Sequence, residues 1–320
     1  MNEIQPKYLK ILLACVVVFL ITVPLDTNAA VSSTQSTTDL EGFTVAIWNG
    51  AGVLDNSAIA LEHMFAWMNA TVIETNASHI FDGGLESVDI LVFPGGNTGS
   101  YTASLGSSGM KIVRSWVSRG GSYFGICGGS LFGTRLRLEF FNGSYVGPVA
   151  GSGTYMMNMN VNRESTGPDL SDEPESYNIL YWNSAYFSAS NMTGIIPIVT
   201  YPSNGRAAMI AFHYDFGTVF LSSPHPEYEE NDERDGTDDF DNLEDEDSEW
   251  GLLLKVSRWL VDESPVCCPI DTTTQTVTTT LTNTTTNQTG AELLSAPMIF
   301  SLAGAVGVVM VVLVVVIRRR

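Results

Sequence analysis

Cys127 stands among glycines, in Gly125-Ile126-Cys127-Gly128-Gly129, where the strand-like run 122–126 ends and a short helix should begin. A nucleophile on such a strand-to-helix turn is held at the C-terminal edge of a sheet, and small neighbours let a substrate approach. The free N–H groups that open the following helix can steady an oxyanion. A thiol nucleophile needs a base, and the chain offers four histidines. His63 falls in the first expected helix, His79 in a connection and His213 in a strand, where a structural histidine is the plain reading. His225 follows the apolar run 218–222, in Pro224-His225-Pro226-Glu227. Glu227, two residues on in an extended segment, projects to the same side and can accept from the imidazole, orienting it and stabilising its cation. The implied chemistry is attack of sulfur on a carbonyl carbon, with the imidazole moving the proton. The plain alternative for Cys127 is a small buried residue on a tight turn.

These residues need a sheet to bring them together. Strand-like runs at 43–48, 71–74, 89–93 and 122–126 are separated by helical patterns at 58–68 and 110–117, with Asp55 as the expected cap of the first helix. That alternation predicts βαβ units and a mainly parallel sheet with helices on both faces. The second half reads as antiparallel strands at 154–161, 179–187, 195–201, 207–213 and 218–222, added to the sheet or laid beside it. A helix at 250–261 carries Leu253, Val256, Trp259 and Leu260 on one face and should pack on the sheet.

The ends suggest a setting. Residues 1–30 have the order of a secretory signal, with lysines, an apolar run and small residues. Residues 263–295 read as a Thr-rich stalk, residues 297–317 as an apolar span and residues 318–320 as a basic tail. Together they predict a single-pass cell-membrane protein whose N-terminal domain, 43–262, lies outside the cytoplasm. Asn-x-Ser/Thr acceptor patterns fit an exported chain. Of four cysteines, Cys15 lies in the expected signal and Cys267 and Cys268 are adjacent near the stalk, so Cys127 does not belong to a disulfide framework.

The formal net charge of −20 argues against nucleic-acid binding, which needs basic patches. Much of it comes from residues 229–249, which read as a solvated loop. A sharper reading is a Ca²⁺ site using Asp235, Asp239 and Asp241, because clustered carboxylates suit hard cations, although the spacing is not that of an EF-hand. No other cofactor is expected.

Three stretches together, Leu91 to Gly96, Gly120 to Ser130 and Ser223 to Glu227, resemble the class I glutamine amidotransferase superfamily. Within it the chain is most similar to the N-terminal domain of biotin-protein ligases and its stand-alone relatives, a likeness shared by Asn49-Gly50-Ala51-Gly52 and the segment from Tyr181 to Phe187. The resemblance implies a flavodoxin-like α/β fold, Cys127 as nucleophile, His225 as base, Glu227 as its orienting partner, and Gly96 and Gly128 as oxyanion donors. It reaches no ligase catalytic domain, so biotinylation is not implied. Two functions follow: a hydrolase acting on a small-molecule or peptide amide, or a non-catalytic binding scaffold that keeps the fold.

Overall fold

The computed structural model describes residues 39–229, 233–245 and 247–264. The first half is a run of crossovers. Strand β1 (Thr44–Trp48) leads through helix α1 (Asp55–Trp67) to β2 (Thr71–Thr75). Helix α2 (Ala77–Phe81) leads to β3 (Ile90–Phe93), and α3 (Thr98–Ser118) to β4 (Ser122–Ile126), which runs into the short helix α4 (Gly128–Phe132). The second half holds β5 (Ser144–Val146), β6 (Thr154–Val161), β7 (Ser176–Trp182), β8 (Tyr186–Ser188), β9 (Ile195–Thr200), β10 (Ala207–Tyr214), β11 (Gly217–Ser222) and the closing helix α5 (Trp250–Asp262).

All the strands among the described residues join one sheet, ordered β2-β1-β3-β4-β11-β10-β9-β6-β7, with β8 on β10 and β5 on β8. The block from β2 to β11 is parallel throughout. From β10 outward the pairing turns antiparallel. The expected α/β class, with antiparallel strands added to a parallel sheet, is the one observed. β11 is the strand that matters for the site, because it enters the parallel block beside β4 and brings residue 222 level with residue 126.

Alternation along the strands divides the core in two. Val45, Ile47, Val92, Phe124 and Phe220 face α1 and α5. Ala46, Trp48, Leu91, Phe93 and Tyr123 face α3 and α4. Both faces of the central strands are therefore covered, and the C-terminal edge is the place left open to chemistry.

Several boundaries differ from expectation for local reasons. Asp55 is the first residue of α1 and not its cap, a place held by Leu54 with no side-chain hydrogen bond. Helix α3 begins twelve residues earlier than its hydrophobic pattern suggests, at Thr98. Its first half is rich in Ser, Thr and Gly, and is started by Asn97, whose Oδ1 accepts from the Ser100 N–H at 3.0 Å. Gly106, with φ of 57°, breaks the helix in its middle.

The acidic stretch is not the solvated loop that its composition predicts. A 3₁₀ turn (Glu233–Asp235) opens it. Phe240 and Leu243 pack against Ala60, Leu180 and Tyr228. Asp235 is buried and accepts from the N–H groups of Glu229 at 3.1 Å and Thr237 at 2.9 Å. Arg234 pairs with Glu229 at 2.6 Å and lies over the Trp250 ring, 4.3 Å from its centroid. Two apolar side chains and one well-paired buried carboxylate outweigh the repulsion of the rest.

The expected cell-membrane location is corrected by the structure. Among the described residues no helix is long and apolar enough to cross a membrane. The segment 297–317, on which that expectation rested, lies outside the described residues, as do the expected signal at 1–30, most of the stalk and the Cys267-Cys268 pair.

Candidate active site

Cys127 follows β4 directly and occupies the residue before α4 with φ of 48° and ψ of −107°, a conformation that residues with a Cβ rarely adopt. Three bonds hold it there. Its N–H donates to the Ser222 carbonyl at 2.8 Å, and its own carbonyl accepts from the Leu131 N–H at 3.0 Å and the Ser130 hydroxyl at 2.7 Å. The turn needs its glycines because backbones meet beneath it. A Cβ on Gly129 would overlap the Phe93 carbonyl, and one on Gly128 would overlap the Gly96 carbonyl. Cys127 is partly exposed and its thiol is free.

His225 arrives from β11. Its N–H donates to the Leu180 carbonyl of β7 at 3.0 Å, and the Trp250 indole donates to the Glu227 carbonyl at 3.0 Å, so the segment is fixed between strand and helix. Both side chains are fully buried. His225 Nδ1 donates to Glu227 Oε1 at 2.8 Å. Nε2 has no hydrogen bond of good geometry, but Cys127 lies near enough to act on the ring. Burial, the largest influence, favours the neutral imidazole. The Glu227 carboxylate and then Cys127 outweigh it, and the ring's pKa rises from 6.5 to about 10. Trp182 lies against the imidazole, with ring centroids 5.4 Å apart, and Tyr228 at 5.7 Å. Phe240 of the acidic stretch contacts both aromatic rings, at 5.5 and 5.0 Å, and so covers this side of the site.

Gly96 and Gly128, the expected oxyanion donors, are brought together. A Cβ on Gly128 would lie 2.8 Å from the Gly96 nitrogen. Among the described residues neither N–H finds an acceptor, and Gly96, at φ of 153°, is exposed. Gly95 passes so close to His225 that a Cβ there would lie 2.9 Å from the ring's Cε1.

Sequence reasoning missed two residues. Ser57, from the first turn of α1, is fully buried, donates to Glu227 Oε1 at 2.7 Å and accepts from the Gly95 N–H at 2.9 Å. Tyr145 meets the Ser223 hydroxyl at 2.7 Å, and burial followed by the neighbouring Cys127 raises its pKa above the ordinary tyrosine range. Nothing local marks either one: a serine early in a helix and a tyrosine in a short strand are ordinary residues.

The Ca²⁺ candidates do not assemble. Asp235 gives its oxygens to backbone N–H groups, Asp239 accepts from Asn56 Nδ2 at 2.6 Å, and the two form no ligand group with Asp241 among the described residues. Carboxylates with ligand-like spacing are instead Asp245, Asp247 and Glu249, within 4.8 Å of one another, with Asp247 already accepting from the Asn178 N–H.

The structure thus sets a cysteine on a strand-to-helix turn beside a His–Glu pair at the edge of a parallel sheet, and comparison with known proteins bears on this arrangement. Residues 43–155 match the family model described as biotin-protein ligase, N terminal. The biotin–protein ligase of Schizosaccharomyces pombe is 26% identical over 212 residues, covering 58% of this chain, so that the chain spans 33% of that ligase's length. An uncharacterized protein of Chlamydia muridarum is 27% identical over 212 residues, 58% of this chain and 80% of that one. The solved structure of PurLQS from Thermotoga maritima superposes with a TM-score of 0.50 at 16% identity, over 68% of this chain and 97% of the other, a likeness of fold. The two share a mainly parallel α/β fold. Over residues 43–155 the likeness to the N-terminal domain of biotin-protein ligases stands.

Proposed function

We propose that this domain is a cysteine-nucleophile hydrolase of amide or related C–N bonds in a small molecule or peptide. One observation carries the reading: a buried His225, held by Glu227 at 2.8 Å, keeps its second nitrogen unpaired beside a cysteine on a strained elbow. The thiolate of Cys127 attacks the carbonyl carbon, and the oxygen gains the charge beside the N–H groups of Gly96 and Gly128. The imidazolium gives its Nε2 proton to the leaving nitrogen as the C–N bond breaks, leaving a thioester. Water, deprotonated by the now neutral imidazole, attacks the thioester. As the C–S bond breaks, the carboxylic acid departs and the thiolate and imidazolium are restored. Glu227 orients the ring throughout.

The test needs no known substrate at the start. Cys127 is expected to react with iodoacetamide near neutral pH, and a panel of amides and peptides is expected to yield a hydrolysed member. Cys127→Ala abolishes both while changing the stability of the fold by no more than ~1 kcal/mol.

A non-catalytic scaffold is favoured by one fact, the complete burial of the imidazole under Trp182 and Phe240. It predicts an inert Cys127 in a folded protein.

A further inference from the structure

We infer that Ser57 is a positioning residue that ties the acid of the triad to the oxyanion turn through one hydroxyl. The inference rests on the hydrolase reading for its purpose, although the geometry stands without it. Ser57 Oγ is fully buried and has two partners of opposite kind. The Gly95 N–H can only donate, so at 2.9 Å it takes a lone pair of Oγ. The hydroxyl proton is then free for one acceptor, Glu227 Oε1 at 2.7 Å. Its direction is fixed.

Two consequences follow. Glu227 Oε1 receives both Ser57 and His225 Nδ1, while Oε2 is buried with no hydrogen bond, so both donors converge on the oxygen that orients the base. A carboxylate held by one donor can swing about its Cγ–Cδ bond. Held by two from different directions, it cannot without breaking one. On the other side, Gly95 is fastened at both its N–H and its carbonyl, because the carbonyl accepts from the Leu54 N–H at 2.8 Å and the Tyr101 hydroxyl at 3.0 Å. Gly96, whose N–H faces no acceptor among the described residues, is the next residue. The start of α1 thus sets the height of the oxyanion turn and the angle of Glu227 together. Asn56, beside Ser57, reaches Asp239 in the segment that covers the imidazole, so one helix turn also meets that cover.

A purely structural serine would satisfy the same buried groups. The two roles separate on the titration of His225, followed by the nitrogen shifts of its ring. In Ser57→Ala the carboxylate loses one donor and keeps more charge for the imidazolium, so the ring's midpoint should rise by about half a pH unit or more, the scale of a lost hydrogen bond to a charged group. The iodoacetamide rate at Cys127 should fall roughly tenfold as the turn and the base lose their common support. Ser57→Thr, which keeps the hydroxyl, should return both values toward those of the native protein. The shift should vanish when Glu227→Gln is already present, because the effect passes through that side chain.

A folded Ser57→Ala whose midpoint and rate coincide with the native values overturns the inference. So does a lowered melting temperature with no movement of the midpoint. Should Ser57→Ala not fold, Ser57→Cys keeps the shape with a poorer donor, and an unmoved midpoint there is equally fatal. If Cys127 proves inert and no amide is cleaved, the hydrolase reading fails, but the imidazole titration still decides whether Ser57 acts on Glu227.

Discussion

Replacing Glu227 by glutamine keeps the shape of the side chain and removes its charge, which isolates the influence that holds His225 as a cation. In the native site the ring resists deprotonation up to about 10, against 6.5 for a free histidine. That separation of about 3.5 pH units corresponds to roughly 5 kcal/mol in favour of the imidazolium, after burial has already worked against it. In the Glu227→Gln protein burial meets only Cys127, and the midpoint is expected at or below 6.5. Nitrogen-detected spectra of the two proteins, recorded from below pH 6.5 to above pH 10, read the difference directly. Stability should follow. Because the folded state binds this proton more tightly than the unfolded chain does, the contribution is complete below 6.5 and is lost as pH rises through about 10. Native stability should therefore decline across that window relative to the Glu227→Gln protein, which starts lower by roughly 3–5 kcal/mol from a broken buried pair. Equal midpoints in the two proteins would refute the claim that Glu227 carries the charge of the site.

Other perturbations test the surrounding structure. Gly128→Ala drives a methyl into the Gly96 carbonyl and should cost about 1–3 kcal/mol in denaturant unfolding while abolishing Cys127 alkylation. Phe240→Ala removes the ring that covers Trp182 and Tyr228. It should quicken alkylation of Cys127 at a cost of up to about 3 kcal/mol, measured by paired labelling and melting experiments. Asp235→Asn leaves one of two backbone N–H groups without its acceptor, and thermal melts should show a loss of about 1–3 kcal/mol.

The residues that face chemistry were legible wherever their signal was local. The elbow at Cys127 announces itself through contiguous glycines, because tight backbone excludes side chains. Strands 122–126 and 154–161 were readable from their own apolar patterns. Legibility failed where a feature draws its stability from distant partners. The first half of α3, poor in helix formers, is held by an Asn97 cap and by burial of Tyr101 and Leu105. The acidic stretch docks because Phe240 and Leu243 find Leu180 and Tyr228, which composition averages away.

What the sequence determined by itself, then, was the kind of fold, the βαβ order, and the identities of a thiol, an imidazole and a carboxylate near strand ends. The tertiary structure decided their environment: that β11 enters the sheet beside β4, that His225 and Glu227 are wholly buried, and that Ser57 reaches Glu227 across 170 positions. The physical reason is range. Backbone conformation and periodicity are fixed by neighbours along the chain, whereas desolvation, charge and a buried hydroxyl's direction are fixed by whatever the fold brings alongside.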